Sequence, residues 1–313
     1  MEKKWYFSDC FYTKRNILSS TDKKMDNLAI GVVTYNRLEL LKKVVLSLRQ
    51  QTVKPHKIYI VNNASTDDTS TWLDEQLKES DDLIVINQAN LGSSGGQYTS
   101  IKSMFEAGYE WIWIMDDDVM PAPTCLEELT KDLLKDEVRA PLRYDIQQKP
   151  YMNDTIELNL TNPLKSIWTR IIDEKDFENS KIPAEGITFE GPLFHRSIIE
   201  KVGYPEKPFF IFADDTEYMI RVKKVGGTCV IMRDARLNRL LPVPEDMYKF
   251  TWKHYYLIRN IIAIDILHGT LGVRLIRPFG YLFNWLRRSK SFSDFKDTMR
   301  AFIHGYFYKS DNK

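Results

Sequence analysis

The stretch that most constrains this chain is an apolar segment that ends in three consecutive carboxylates. Residues 111–115 are five apolar side chains of aromatic, β-branched and related types, which is typical of a strand buried on both faces of a parallel sheet. Asp116, Asp117 and Asp118 follow directly. Carboxylates at the carboxyl end of a buried strand lie where open α/β sheets bind ligands, and their mutual repulsion favours a bound cation.

The residues of this triplet allow two interpretations. In the first, Asp116 and Asp118 share a divalent metal, because alternate residues of an extended segment point the same way, while Asp117 faces elsewhere. Mg²⁺ and Mn²⁺ prefer oxygen ligands and are commonly held by one or two carboxylates together with substrate phosphates. In the second, the triplet is a solvated acidic loop that precedes the next helix.

The composition is that of an ordinary globular protein. The 313 residues are 43% hydrophobic and 28% charged, enough for one large domain or one domain with an appendage. With 44 Lys and Arg against 43 Asp and Glu, the net charge of +1 argues against general nucleic-acid binding. Because the N-terminus lacks the features of a signal peptide, no apolar run reaches membrane-spanning length and the cysteines are widely spaced, we expect a cytoplasmic protein.

Strands and helices alternate in the first part of the chain. Strands are predicted over residues 28–34, 58–61, 83–86 and 111–115, each of the first three followed by a helical pattern. This alternation favours right-handed crossovers and a mostly parallel α/β sheet with helices on both faces. The carboxyl ends of successive strands then gather Thr34, Asn63 and the Gly95-Gly96 pair near the aspartates. We therefore predict a nucleotide site at that edge.

The glycine-rich segment over residues 90–96 also allows two interpretations. It matches neither a dinucleotide-binding fingerprint nor a phosphate-binding loop, because no Lys-Ser or Lys-Thr follows. It is either a flexible turn before a helix or a close backbone approach to a nucleotide or sugar at a helix N-terminus. The neighbouring ligand-like turns favour the second interpretation.

A second acidic segment follows an aromatic run farther along the chain. Residues 209–213 lead into Asp214 and Asp215, and a helix is predicted after them. This pattern suggests a buried segment that delivers carboxylates to a cleft. Alternatively one of the two aspartates caps the helix, and two adjacent acids can divide these roles.

Taken in order and spacing, these motifs resemble those of family 2 glycosyltransferases with the GT-A fold. They are Thr34 to Arg37, Val61 to Asp67, Asn90 to Gly92 with Gly95 and Gly96, and the triplet Asp116 to Asp118. The resemblance covers roughly residues 27–262 and implies a nucleotide-sugar donor. We predict an N-terminal extension over 1–26, a GT-A catalytic domain over 27–236 and a C-terminal helical region over 237–313. Within the domain, 27–120 would bind the nucleotide and 121–236 would face the acceptor.

The resemblance implies a set of donor-binding residues. They are Thr34, Tyr35, Asn36, Arg37, Asn63, Asn90, Gly92, Gly95, Gly96 and Asp117. Among them Thr34, Asn36 and Asn63 would border the base and ribose, and Asp117 would lie towards the ribose or the donor sugar. Many relatives carry Asp where this chain has Asn62 or Asn63. The choice between uridine and deoxythymidine therefore stays open.

The resemblance also implies the cofactor and the catalytic residues. Asp116 and Asp118 would hold Mn²⁺ or Mg²⁺ on the donor diphosphate. The segment around Asp214 and Asp215 is similar to the family's acidic signature, in which the second acid is the general base, so Asp215 takes that role and Asp214 a supporting one. A single displacement then inverts the anomeric centre.

The C-terminal region carries one further motif. Tyr255-Tyr256-x-x-Arg259-Asn260 is similar to a segment of bacterial galactofuranosyl- and rhamnosyltransferases. Related galactofuranosyltransferases have a metal-binding histidine shortly after the last strand, but residues 233–246 contain none. His254 is either the replacement for that ligand or a packing residue.

The segment over residues 273–290 interleaves basic and aromatic side chains. It either rests on an anionic membrane surface at the inner face of the cell membrane, where a lipid-linked acceptor would be presented, or packs on the catalytic domain or on another subunit. The first alternative predicts peripheral membrane contact, and the last a homo-oligomer.

The function predicted from these features is an inverting, metal-dependent glycosyltransferase of bacterial surface glycan synthesis. The expected donors are UDP-galactofuranose, dTDP-rhamnose or another UDP-sugar, and the acceptor is a glycan or lipid-linked glycan. One alternative is a sugar-nucleotide nucleotidyltransferase, which normally needs a glycine-rich basic loop where residues 34–40 offer only Arg37. The other is a glycan- or nucleotide-binding module without catalysis.

Overall fold

The computed structural model describes residues 23–242 and 250–310. Of the predicted N-terminal extension, residues 1–22 lie outside the described part. The strands are β1 (Lys23–Thr34), β2 (Val53–Asn62), β3 (Leu83–Asn87), β4 (Trp111–Asp116), β5 (Val119–Pro121), β6 (Glu137–Tyr144), β7 (Thr155–Leu158), β8 (Trp168–Ile171), β9 (Lys181–Ala184), β10 (Leu193–His195) and β11 (Thr228–Arg239). The α-helices are α1 (Leu38–Arg49), α2 (Thr69–Glu79), α3 (Gly92–Glu106), α4 (Cys125–Leu129), α5 (Arg196–Val202), α6 (Asp214–Lys224), α7 (Trp252–His268), α8 (Leu271–Arg288) and α9 (Phe292–Tyr306).

Within the described residues, nine strands form one sheet in the order β3-β2-β1-β4-β10-β6-β11-β5, with β9 on β11. Strands β3, β2, β1 and β4 are mutually parallel, and β10 is antiparallel to both β4 and β6. Strand β6 therefore runs in the same direction as β4, and β11 is parallel to β6. The prediction of a mostly parallel α/β sheet is confirmed.

Strand β4 is buried on both faces, as its composition predicts. Ile112 and Ile114 pack in the same cluster as Met104 of α3. Trp113, with alternating orientation, packs in a second cluster that contains Leu41 of α1. Because this strand is central and covered by helices on both sides, the aspartates that follow it have a fixed position at the sheet edge.

The predicted C-terminal helical region is present as α7, α8 and α9. A buried ion pair joins the first two of these helices, with Arg277 Nε 2.9 Å from Asp265 Oδ2. None of the helices in the described ranges has the length and apolar character that crossing a bilayer requires. The predicted boundaries of the domain and of its two halves stay predictions.

Candidate active site

A cleft of about 580 Å³ lies at the carboxyl ends of the parallel strands. Of the predicted site residues, it is lined by Thr34, Tyr35, Arg37, Asn63, Asn90, Gly92, Asp116, Asp117, Asp118, Asp214 and Asp215. The two acidic segments, separated by nearly a hundred residues of sequence, therefore face the same cavity.

Asp117 is the member of the triplet that is most fully engaged by protein groups. Its Oδ2 accepts hydrogen bonds from Thr34 Oγ1 at 2.7 Å and from the backbone N–H of Tyr35 at 3.3 Å. Arg37 Nη1 lies 3.0 Å from Asp117 Oδ1 and 2.9 Å from Asp118 Oδ2. This guanidinium neutralises part of the negative charge of the triplet and fixes Asp117 against the end of β1.

Asp116 carries the strongest electrostatic perturbation of the triplet. Burial, followed by the charges of Asp118, Glu190 and Asp117, raises the pKa of Asp116 well above its ordinary value. A hydrogen bond from Gln97 Nε2, at 2.9 Å, opposes this effect. Burial also raises the pKa of Asp118, although Arg37 partly offsets it. A bound cation would relieve the repulsion among these carboxylates.

Glu190 lines the same cleft and was given no role by sequence reasoning. Its Oε2 lies 2.6 Å from Nη1 of the buried Arg143, and its Oε1 lies 3.6 Å from Arg239 Nη2. Burial opposes ionisation of Glu190, but the two arginines more than offset it and hold its pKa below the ordinary value. Its negative charge raises the pKa of Asp116 and also that of Asp215, so this carboxylate couples the two acidic segments.

Asp214 and Asp215 occupy the first turn of α6, whose N-cap is Ala213, so neither aspartate is the N-cap residue. Burial, followed by the charge of Asp215, raises the pKa of Asp214 to about 7. Burial also raises the pKa of Asp215 to about 6, opposed by hydrogen bonds from Thr216 and by the charge of Arg143. Within residues 23–242 and 250–310, no group forms a hydrogen bond to the buried Oδ2 of Asp214. This oxygen is therefore available to a group that enters the cleft.

The loop before these aspartates has a strained backbone. Phe210, Phe212 and Ala213 have φ values of 65°, 70° and 61°, a region that L-residues rarely adopt. Asn260 of α7 is fully buried, and its Nδ2 donates to the carbonyl oxygens of Phe209, Ile211 and Phe212 at 3.0, 2.9 and 2.8 Å.

Arg259, the residue before Asn260, also joins α7 to this loop. Arg259 Nε donates to Asn260 Oδ1 at 2.8 Å, which fixes the orientation of the amide. Arg259 Nη2 also donates to the carbonyls of Pro208 and Phe209 at 2.6 and 3.0 Å. The Arg-Asn pair of the C-terminal motif therefore holds the loop that leads into Asp214.

Gly92 lies where the strained loop approaches the start of α3. Its φ is 72°, and a Cβ atom there would lie 2.1 Å from the carbonyl oxygen of Phe210. Its own carbonyl accepts from Asn63 Nδ2 at 3.0 Å. The close backbone approach seen at Gly92 is between two protein segments that line the cleft, and the approach of this segment to a nucleotide or sugar stays a prediction.

Four predicted site residues do not line the cleft. Asn36 is exposed, and its Oδ1 accepts from the backbone N–H of Thr66 at 2.6 Å. A Cβ atom on Gly95 would meet the side chain of Leu91, and one on Gly96 would meet that of Val33, at 2.4 and 2.3 Å. The two glycines thus allow close packing of α3.

His254 is the fourth of these residues. Its Nδ1 accepts from the backbone N–H of Thr251 at 2.8 Å in the capping box of α7, and its ring stacks on Phe250. It lines a different cavity, between α7 and α9. The structure does not bring His254 to the aspartates, which leaves the metal-ligand interpretation without geometric support.

The chemistry of the cleft fits a divalent metal held by few protein ligands. Over residues 23–242 and 250–310, no group of three or more His, Cys, Asp or Glu side chains is arranged to hold a metal ion. Two carboxylates plus phosphate oxygens of a substrate are sufficient for Mg²⁺ or Mn²⁺. Asp116 and Asp118 supply such a pair on the wall of the cleft.

Several cleft residues were not singled out from the sequence. They are Val33, Ser93, Thr188, Phe189, Glu190, Phe210, Ile211, Phe212, Ala213, Trp252 and Lys253. Most belong to two segments, 188–190 and 210–213, which reach the cleft through tertiary packing. The aromatic run before Asp214 was the available signal for the second segment, and no local pattern distinguished Glu190.

The amino-acid sequence is similar to those of known glycosyltransferases. Residues 29–203, more than half of the chain, match the model of the family described as Glycosyl transferase family 2. Galactofuranosyltransferase GlfT1 of Mycolicibacterium smegmatis is 26% identical over 211 residues, which cover 64% of this chain and 67% of that protein. Galactofuranosyltransferase GlfT2 of the same organism is 26% identical over 281 residues, covering 77% of this chain and 41% of that protein.

The fold is also similar to that of solved structures. GalNAc-T7 in complex with UDP, GalNAc and Mn²⁺ superposes with a TM-score of 0.63 at 12% identity, covering 88% of this chain and 54% of that one. At this identity the similarity concerns the fold, which is GT-A.

Proposed function

The chain belongs to glycosyltransferase family 2, and on this premise we propose that it transfers a sugar from a nucleoside diphosphate to a hydroxyl of a glycan, with inversion at the anomeric carbon. The observation that carries the proposal is the meeting of the two acidic segments in one cleft. An acidic triplet suits the diphosphate end of a donor, and a second pair of acids suits the acceptor end. Residues predicted to border the nucleoside, Thr34 and Asn63, line the same cavity.

At the donor end, Asp116 and Asp118 would hold Mn²⁺ or Mg²⁺ against the diphosphate. A bound divalent cation supplies neutralisation of the negative charge that develops on the departing nucleoside diphosphate. Arg37 is a cation that the chain itself provides there, since it already lies against Asp117 and Asp118. Asp117, held by Thr34, would position the ribose or the sugar.

At the acceptor end, Asp215 is the proposed general base. With a pKa raised only to about 6, its carboxylate is mostly ionised at neutral pH and is still a stronger base than an ordinary aspartate. It would take the proton of the acceptor hydroxyl as the oxygen forms its bond to the anomeric carbon and the bond to the diphosphate breaks. One displacement of this kind inverts the centre and needs no carboxylate nucleophile.

Asp214 has a supporting role in this proposal. Its buried Oδ2 has no hydrogen-bond partner among the described residues, and its pKa of about 7 lets the carboxyl group accept from or donate to a sugar hydroxyl near neutral pH. The general base that it supports, Asp215, is expected to raise the rate by about 10² to 10⁴.

The similarity to galactofuranosyltransferases favours a galactofuranose donor, and dTDP-rhamnose or another UDP-sugar remains the alternative. The glycan or lipid-linked glycan acceptor, the role in bacterial surface polysaccharide synthesis and a cytoplasmic location are parts of the same proposal. Family membership favours sugar transfer over nucleotidyl transfer.

The test is donor hydrolysis over a panel of UDP- and dTDP-sugars with Mn²⁺ or with EDTA. We expect metal-dependent release of UDP or dTDP from one donor, and a loss of about 10²-fold or more in Asp116→Asn. Asp81→Asn is the matched control, because Asp81 has an exposed side chain on the surface. If no donor is bound or turned over with metal present, transfer is refuted and the non-catalytic binding module becomes the better account.

A further inference from the structure

Helix α8 exposes an apolar face at the surface. This face, called here the α8 apolar face, consists of Leu271, Leu275, Ile276, Phe279 and Phe283. Their side chains are 71%, 53%, 50%, 49% and 69% exposed. An amphipathic helix normally turns its apolar residues inward. Here the residues on the opposite side, such as Val273 and Trp285, already pack inward, so the helix is apolar on both sides.

The exposed charged side chains of α8 and of the two residues after it are all positive. Arg274, Arg287, Arg288 and Lys290 are exposed along the helix and just after it. The sequence contains no Asp or Glu between Asp265 and Asp294, although the whole chain has 43 of them.

The carboxylate that comes before this stretch does not change the charge of the face. Asp265 is fully buried and forms an ion pair with Arg277, so its charge is already neutralised inside the protein. The surface that α8 presents is therefore apolar and cationic.

We propose that the α8 apolar face binds an anionic phospholipid bilayer, with α8 lying in the plane of the interface. A helix of this kind inserts its apolar side chains at the boundary between headgroups and acyl chains, while flanking arginines contact the lipid phosphates. Phe279 also contacts Phe302 and Tyr306 of α9 at ring distances of 5.2 and 5.7 Å, so α9 supports the aromatic centre of this face.

Charge favours a bilayer over a second copy of the chain. A two-fold interface through α8 would bring the same patch of both copies together. Arg287 of each copy would then approach the other copy's α8, which carries no carboxylate to pair with it. Such like-charge contacts oppose association, whereas anionic lipid pairs with the same arginines. The inference does not depend on which donor sugar is used.

The test is co-sedimentation of the full chain with vesicles of phosphatidylcholine alone or containing one quarter phosphatidylglycerol, at low and high salt. We expect binding to the anionic vesicles that weakens with salt. Ile276→Gln combined with Phe283→Gln should lower the partition coefficient by about tenfold or more, because both side chains leave water on binding. Arg287→Glu changes the local charge by two and should lower it by roughly thirtyfold on anionic vesicles.

Leu46→Gln combined with Leu77→Gln is the matched control. These leucines are 56% and 43% exposed on α1 and α2, so the pair removes the same number of exposed apolar side chains elsewhere. We expect it to bind vesicles like the wild type, and all variants to keep the wild-type melting temperature and donor hydrolysis.

Two outcomes would overturn the proposal. One is a wild type that stays in the supernatant with anionic vesicles at low salt. The other is a wild-type dimer in sedimentation equilibrium that Ile276→Gln with Phe283→Gln converts to monomer, because the face would then be an interface between copies.

Discussion

Substitution of Asn260 by Asp tests whether the contact of α7 with the loop before Asp214 is needed to position Asp214 and Asp215. The change keeps the size of the side chain but replaces an amide that donates to three carbonyls with a carboxylate that can donate to none. Asn260 is fully buried, so water does not replace the lost donors. Arg259, which donates to Oδ1, can still hold the new carboxylate in place.

The expected energy follows from the contacts and from the strain they offset. Each lost hydrogen bond is worth about 1 kcal/mol, and a buried acceptor left unpaired costs about 1 to 3 kcal/mol. Phe210, Phe212 and Ala213 each hold a strained φ at about 1 to 3 kcal/mol, which the loop can release once the amide is gone. We expect Asn260→Asp to lower the free energy of unfolding by about 3 kcal/mol and to let the loop before Asp214 relax.

The substitution should reduce turnover at the catalytic acids but have little effect on nucleotide binding at the acidic triplet. The loop carries the catalytic acids, whereas Asp116 to Asp118 follow β4 and are not contacted by Asn260. We expect donor turnover to fall by about 10²-fold while the affinity for UDP or dTDP with Mn²⁺ changes less than about threefold. The assays are donor hydrolysis, calorimetric nucleotide titration and hydrogen exchange over residues 209–215.

Asn159→Asp is the matched control for this variant. Asn159 is 8% exposed, and its Nδ2 also donates to three carbonyls, those of Asn162, Lys165 and Ser166, at 2.8, 3.4 and 3.2 Å. It does not line the cleft, so its variant should lose stability but keep turnover in the folded protein. Equal loss of turnover in the two variants at a temperature where both are folded would refute the reasoning.

Two further predictions concern stability. Because the pKa of Asp214 is raised from 3.8 to about 7, the folded state binds its proton more tightly than the unfolded state, and stability is lost as pH rises through the folded-state value. Asp214→Asn should therefore add about 4 kcal/mol to the unfolding free energy near pH 8 and little near pH 4. An equal gain at both pH values in urea titrations would contradict this. Gly96→Ala should lower the unfolding free energy by about 1 to 3 kcal/mol, because the added Cβ would clash with Val33. Gly280→Ala is the control, because a Cβ atom there meets nothing within 4 Å. A loss of donor affinity in Gly96→Ala without a loss of stability would instead support a place for Gly96 in the donor site.

The sequence by itself determined the α/β fold class and the first half of the sheet. Buried strands and amphipathic helices have different periods, and these periods are local properties of the chain. It also determined that the acidic triplet lies at the carboxyl end of β4, since that position follows from the strand itself. The family followed from the order and spacing of such local motifs, and the comparison confirmed it.

The tertiary structure decided which side chains share the cleft. Glu190 reaches it through a segment that precedes an antiparallel strand inserted between β4 and β6, and strand order is not visible in local periodicity. His254, which the sequence offered either as a replacement metal ligand or as a packing residue, lies at a helix start beside another cavity. Gly95 and Gly96 pack α3, while Gly92 meets Phe210, because the contacts of a glycine depend on what faces it.

The contact between Asn260 and the loop over residues 209–213 shows why the sequence predicts secondary structure but not which side chains share the cleft. Secondary structure arises from interactions between near neighbours, so sequence period predicts it. A binding site is made by groups far apart in the chain, and their juxtaposition depends on how helices and strands pack. Asn260 and Phe209 are 51 residues apart, and only the packing of α7 brings the amide to the carbonyls that it holds.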